Sequence, residues 1–135
     1  IMYENETKVP DLWTYDDPIS FSFEVDDTVN AYDIILNVDY DKSYGYQNLY
    51  TKLITTFPNQ ESSEDVVSLD LRKKSGASNG KCFSASCTVP FLIQQNVYFQ
   101  TLGRHTLDIF QHTRQDSLPA IHSIELILQQ VEKQE

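Results

Sequence analysis

The stretch "ISFSFEV", residues 19–25, alternates without a break: Ile19, Phe21, Phe23 and Val25 are apolar, while Ser20, Ser22 and Glu24 are polar. Successive side chains of an extended chain point to opposite faces, so a period of two gathers the apolar residues on one side. A helix would scatter them around its circumference. The segment is therefore a strand with one buried face, and such a strand needs other strands to complete its sheet. After the turn residues of "DDTVNA", "YDIILNVDY" repeats the signal, with Tyr32, Ile34, Leu36, Val38 and Tyr40 on one face.

Six further segments carry strand chemistry. "LYTKLITTF" is a β-branched and aromatic run that closes at "PNQESSED", a polar turn begun by Pro58. "VVSLDLR" follows, then the loop "KKSGASNG", then "KCFSASCTVPFL", which Pro90 confines to an edge or a bulge. "NVYFQ" and "RHTLDIFQ", joined by "TLG", are predicted to pair as a hairpin. The last segment, "AIHSIELILQQVE", fits two periods: Ile121, Ile124, Leu128 and Val131 suit a helix, whereas Ile124, Leu126 and Leu128 suit a strand. The strands before it need a partner, so it is read as a final strand, with "VEKQE" fraying.

Short strands separated by turn chemistry, with no alternating helices, predict an all-β chain: a single antiparallel β-sandwich of about eight strands, jelly-roll-like. At 135 residues the chain suits one domain. Residues 1–18 are polar, contain two prolines and show no sustained period. They are read as an irregular lead-in to a sandwich domain over 19–135, with Trp13 expected to plug that lead-in onto the domain.

Twenty acidic residues against ten basic ones leave a formal net charge of −10. That charge repels polyphosphate and anionic lipid headgroups, so nucleic acid is excluded as a partner. No apolar run is long enough to span a bilayer as a helix. The chain begins with Ile1 ahead of Met2, which suggests that an N-terminal piece was removed.

Cys82 and Cys87 lie in "KCFSASC". In a continuous strand their Cα atoms would be about 17 Å apart, far beyond the reach of a disulfide. Either the segment turns or the two do not pair. The reading adopted is two small apolar side chains in or beside a strand.

Candidate chemistry is sparse. Asp39, Asp41 and Ser43 occupy the first, third and fifth positions of a calcium-loop pattern, but Tyr44 stands at the required glycine and Tyr50 at the bidentate glutamate. The acidic pairs Asp16–Asp17, Asp26–Asp27 and Glu64–Asp65 fall at strand ends or turns, where solvated carboxylates are ordinary. His105, His112 and His122 are too scattered for a compact metal motif. No nucleophile elbow, phosphate loop or dinucleotide fingerprint occurs, so no catalytic residue, cofactor or metal site is expected.

One constellation has recognition value. "YDKSYGYQNLY", residues 40–50, holds four of the eight tyrosines around Gly45. Tyr44, Tyr46 and Tyr50 form a candidate binding surface that could stack on sugar rings or anchor a protein. Architecture is the competing explanation, with Tyr40 ending one strand, Tyr50 beginning the next and Gly45 marking the bend.

The order of several motifs resembles the GldH family of gliding-motility lipoproteins. The resemblance rests on Trp13 before "DDPISFSFEVDD", Tyr32 opening the second strand, "YGYQNLY", "TTFP" at 55–58, "SLDLR", the expected hairpin around Gly103, and "FQHTRQDSLPAIHSIELIL". One region departs: where the family carries a glycine-rich stretch, this chain has "NGKCFSASC", and Gly80 alone keeps the place. The resemblance implies an exported, non-catalytic lipoprotein of the cell envelope, facing the periplasm or held at the outer membrane. Its lipid anchor would lie on a cysteine upstream of Ile1. Such a protein would serve gliding motility and the associated secretion machinery by docking other envelope proteins. The alternative is a carbohydrate-binding module that uses the tyrosine loop.

Overall fold

A computed structural model describes residues 2–132. No helix occurs among the described residues. Eleven strand segments do: β1 Tyr3–Lys8, β2 Trp13–Thr14, β3 Ile19–Val25, β4 Tyr32–Asp41, β5 Asn48–Thr56, β6 Ser62–Asp70, β7 Lys81–Phe83, β8 Ser86–Val97, β9 Gly103–Gln111, β10 Ser117–Leu118 and β11 Ile121–Gln130. They build a five-stranded sheet in the order β1-β11-β4-β8-β7, a four-stranded sheet in the order β3-β9-β5-β6, and a short β10-β2 pair. All pairings are antiparallel, as a sandwich requires.

The alternating strands behave as their patterns dictate. β3 buries every second residue, and β4 turns Tyr32, Leu36, Val38 and Tyr40 inward between β11 and β8. β11 contributes Ile124, Leu126 and Leu128, which resolves the two-period ambiguity in favour of a strand. These side chains merge with Phe21, Ile109, Leu49 and Leu69 of the facing sheet into one core. Burying each such side chain contributes roughly 1.5–3 kcal/mol against the entropy of ordering the chain.

Several sequence expectations need correction. Residues 3–8 of the supposed irregular lead-in form β1, which pairs with β11 from Tyr3↔Leu128 to Lys8↔Ser123. β1 is an edge strand exposed along most of its length, so it carries no apolar alternation and reads as a loop. The polar turn after Pro58 is shorter than "PNQESSED": Ser62–Asp65 already belong to edge strand β6, and the turn closes through Phe57 N–H to Glu61 O and Gln60 N–H to Phe57 O. "NVYFQ" and "RHTLDIFQ" do not pair. β8 stays with β4 while β9 joins β3 and β5, so the residues between them cross from one sheet to the other. The expected fraying of "VEKQE" at residues 133–135 lies outside the described residues.

Trp13 does plug the lead-in. It is fully buried, and its indole N–H donates to Asp17 O at 2.8 Å. Gln111, also buried, holds the strand that carries Trp13: its amide donates to Trp13 O at 3.2 Å and to Gln115 O at 2.7 Å, while its carbonyl accepts from Thr113 N–H. Every polar atom of that side chain is engaged, which is the condition for burying it cheaply.

The cysteines form a disulfide, contrary to the unpaired reading. The segment turns at Ser84–Ala85, placing Cys82 opposite Cys87 with Cα atoms 4.0 Å apart. A two-residue turn inside one apparently continuous run is what the extended-strand estimate missed. Closing so small a loop restricts the unfolded chain by about 2 kcal/mol. Gly80 lies just before this hairpin, and a Cβ there would sit 1.9 Å from Thr88 O and 2.8 Å from Val89 Cα. Gly45, by contrast, has open space around its Cα and no left-handed φ, so it is not a required bend.

The turn into β4 is capped by Asp27. One carboxylate oxygen accepts from Val29 N–H and Asn30 N–H, and the other from Asn30 Nδ2 and the Tyr32 hydroxyl at 2.8 Å each. The Asn30 amide and the Tyr32 hydroxyl, helped by the two backbone donors, hold this carboxyl far below its ordinary value of 3.8. Tyr32 is in turn pushed up to about 12, first by burial and then by its bond to Asp27.

Two predictions follow from these contacts. Gly80→Ala is expected to lose about 1–3 kcal/mol in urea unfolding, because backbone atoms cannot yield to the added methyl, whereas Gly45→Ala should be neutral or slightly stabilising. The Asp27 cap stabilises the fold above pH 3.8, where the unfolded carboxyl is ionised, and this contribution is lost as the pH falls towards the folded-state value. Asp27→Asn should therefore lower the thermal midpoint at pH 7, by an amount that shrinks progressively below pH 3.8.

Candidate functional site

The connector between β4 and β5, residues 42–47, is organised from outside by a side chain 30 residues away. Arg72, just beyond β6, forks its guanidinium onto three backbone carbonyls: Nη1 donates to Tyr44 O at 2.6 Å and Tyr46 O at 2.8 Å, and Nη2 to Lys42 O at 2.8 Å. The same guanidinium lies over the Tyr40 ring, 5.2 Å from its centroid. The amides of Leu71 and Arg72 both donate to Gln47 O at 3.0 Å. A planar fork of five donors suits converging carbonyls in a way that a lysine cannot match.

Within that frame the three candidate tyrosines have different fates. Tyr44 is buried, 3% exposed, with its hydroxyl donating to Asn48 O at 2.8 Å. Burial, with a smaller contribution from Tyr46, pushes its phenol well above the ordinary value. Its ring meets Tyr40 edge-on at 6.3 Å and Tyr46 at 5.6 Å. Tyr46 is 49% exposed and donates to Gln115 Oε1 at 2.9 Å. Tyr50, 48% exposed, lies apart on the outer face of β5 opposite Ser68. The loop thus brings together Tyr40, Tyr44 and Tyr46 but exposes adjacent rings nowhere, and the stacked pair a sugar platform would use is not formed.

Beside the loop lies a cleft of about 530 Å³, bounded by Tyr46, Gln115, Pro119 and His122. The disulfide hairpin abuts the same loop: Lys42 N–H donates to Ala85 O at 2.8 Å. At its tip Phe83 is 88% exposed. An aromatic ring that far out of the core, on a hairpin fixed by a covalent bond and a loop contact, is the most conspicuous apolar feature of this end. Sequence reasoning missed both Phe83 and Arg72. For Phe83 the signal was available in the cysteine spacing, because a bridged turn would have placed that residue at its tip. For Arg72 no local pattern announces a reach back to residue 44.

The remaining candidates divide plainly. Asp41 caps its own turn, accepting from Ser43 N–H at 2.7 Å, and its bonds to Ser43 lower its pKa. Asp39 keeps a buried Oδ1 without a partner, and burial raises its carboxyl. His122 Nε2 is 3.6 Å from Asp41 Oδ1. His112 is exposed, whereas His105 is buried and stacked on Phe23 at 5.7 Å. Among the described residues, no group of three or more His, Cys, Asp or Glu side chains is placed to hold a metal ion.

If Arg72 organises the loop, Arg72→Ala should cost about 2–3 kcal/mol in chemical denaturation, since three carbonyls lose a charged donor. Arg72→Lys should recover only part of this, because a single ammonium cannot span them. Equal stability of Arg72→Ala and the unaltered protein would remove the clamp from the account.

Comparison with known proteins then bears on the whole chain. A family model described as GldH lipoprotein matches residues 1–127. A gliding motility lipoprotein GldH homolog of Christiangramia forsetii is 25% identical over 104 residues, covering 77% of this chain and 64% of the relative. The chain thus spans less than two thirds of the length of that relative. No solved structure matches. With its match running from the first residue almost to the end of β11, the chain belongs to the GldH lipoprotein family.

Proposed function

We propose that this chain is the folded, non-catalytic domain of a lipid-anchored cell-envelope protein that serves gliding motility and the associated secretion machinery by docking other envelope proteins. Family membership supports the lipoprotein character, and the gliding role is carried by the name of the Christiangramia forsetii relative. The disulfide agrees with an oxidising, exported location, either facing the periplasm or at the outer membrane. The anchor would place the domain beside a membrane that its net charge of −10 keeps from adhering to anionic headgroups.

The observation that carries the docking reading is Phe83. Aromatic side chains dominate the energy of protein interfaces when they enter a partner's pocket, and a rigid hairpin loses little entropy on being seated. The partner that fits is a protein with an apolar socket able to take the Phe83 ring.

The test is crosslinking in the native envelope from a photoreactive residue at position 83, with identification of captured proteins. One or a few envelope proteins should be captured reproducibly. Phe83→Ser should weaken their capture through a second labelled position at least tenfold, with the disulfide and thermal midpoint unchanged. Capture that is indifferent to Phe83→Ser, or no reproducible envelope protein at all, would sink the docking reading.

A further inference from the structure

The two sheets meet closely where β1 approaches β3, with the Tyr3 and Phe23 rings 5.6 Å apart, but they separate on the opposite side, between β6 and β8. The register shows why. On β6 the residues opposite the inward row of β5 are Leu69, Val67, Asp65 and Ser63, paired with Leu49, Thr51, Leu53 and Thr55. Leu69 is buried, Val67 half-buried, and Asp65 and Ser63 are exposed. The inward face of the strand thus changes from apolar to polar along its length. Across from it, the pairing of β4 with β8 slips at Ile34, which breaks the inward alternation of β8 near Ile93 and Gln94. Neither strand supplies the side chains that would close the gap.

What remains is a cleft of about 490 Å³ that opens at this edge against the core. Its floor is aliphatic, formed by Ile34, Leu53 and Leu107, with Leu126 and Leu128 fully buried behind them. One wall is aromatic: His105, surrounded by the rings of Phe23, Phe57 and Phe99 at 5.5–5.7 Å. The mouth carries Ser63, Asp65, Gln94 and Gln100, and neither Lys nor Arg lines the cavity anywhere.

We propose that this cleft binds a single-chain neutral lipid, with its hydrocarbon tail on the aliphatic floor and a hydroxyl-bearing head at the Asp65 mouth. The volume lies within the range of about 300–1,000 Å³ typical of small-ligand sites. The division of chemistry selects the class. A free sugar has no apolar part to cover the floor, and an inserted peptide would bury backbone amides against leucines without partners. A fatty acid would bring a second carboxylate to Asp65, in a chain that already carries a net charge of −10, with no cation at the mouth to offset it. Hydroxyl groups can donate to the Asp65 carboxylate and accept from the Gln94 amide, which suits the polar mouth.

The experiment uses the whole chain with the neutral apolar dye N-phenyl-1-naphthylamine, displaced by lipids below their critical micelle concentrations. The dye should brighten on binding. 1-Monomyristoylglycerol should displace it at micromolar concentration, and 1-monolauroylglycerol, two methylenes shorter, should be about tenfold weaker. Myristate should compete poorly with the unaltered protein and at least tenfold better with Asp65→Lys. Val67→Trp should fill the cleft and reduce lipid binding at least tenfold. Ser63→Trp, at an exposed position that does not threaten folding, should block the mouth with a similar loss. Absence of dye binding, displacement by myristate as good as by the monoglyceride, or unchanged binding in a folded Ser63→Trp protein would each overturn the proposal.

Discussion

The inward row of β4, from Tyr32 through Ile34, Leu36 and Val38 to Tyr40, is the constraint on which the rest of the molecule turns. Both flanks of the strand are paired, with β11 on one side and β8 on the other, so its register is set twice over. A slip of one residue would turn Asp33, Asn37 and Asp39 into the core in place of five apolar side chains, at a cost no local adjustment could offset. The two ends of this row also define the two ends of the sandwich. Tyr40 carries its hydroxyl to Ser78 and its ring to Arg72, whereas Tyr32 ties to Asp27 and packs on Phe99 at 5.8 Å.

The parts of the fold legible in the sequence were those whose exposure alternates. β3, β4 and β9 each have one face in the core and one in water, and a period of two follows directly from that. Where a strand has water on both faces, the signal vanishes: β1, with the sequence YENETK, and the first half of β6, with SSED, are held by backbone pairing that any side chain permits. Sheet membership was equally hidden. The segment around Gly103 has turn chemistry, but a turn does not record whether the chain returns to its own sheet or crosses to the other.

The tyrosine loop was found for a reason that only partly survives. Clustering of aromatic residues is visible in one dimension, while burial depends on what arrives from elsewhere. Tyr44 is inside because Tyr40, Arg72 and Asn48 surround it, and Tyr46 is outside although it stands two positions away and shares the same composition. The cysteines teach the converse. Their spacing ruled out a bridge only under the assumption of a straight strand, and the Ser84–Ala85 turn removes that assumption.

The polar interactions of the interior are unevenly shared between the two ends, and this asymmetry governs what each can do. At the Tyr40 end, Gln111, Arg72 and the Tyr44 hydroxyl are all engaged with backbone groups, and the Cys82–Cys87 hairpin is joined to the loop through Ala85. Satisfied buried networks of this kind fix a unique geometry. At the Tyr32 end the Asp27 cap ties the turn between the two sheets to Tyr32, while the space between β6 and β8 is lined by aliphatic side chains and aromatic rings rather than by hydrogen-bonded groups. Apolar packing is non-directional, so a guest of suitable volume meets no fixed hydrogen-bond geometry on that side. One sandwich therefore carries a covalently braced end and an end with an apolar cleft, and both follow from which residues meet the two ends of a single strand.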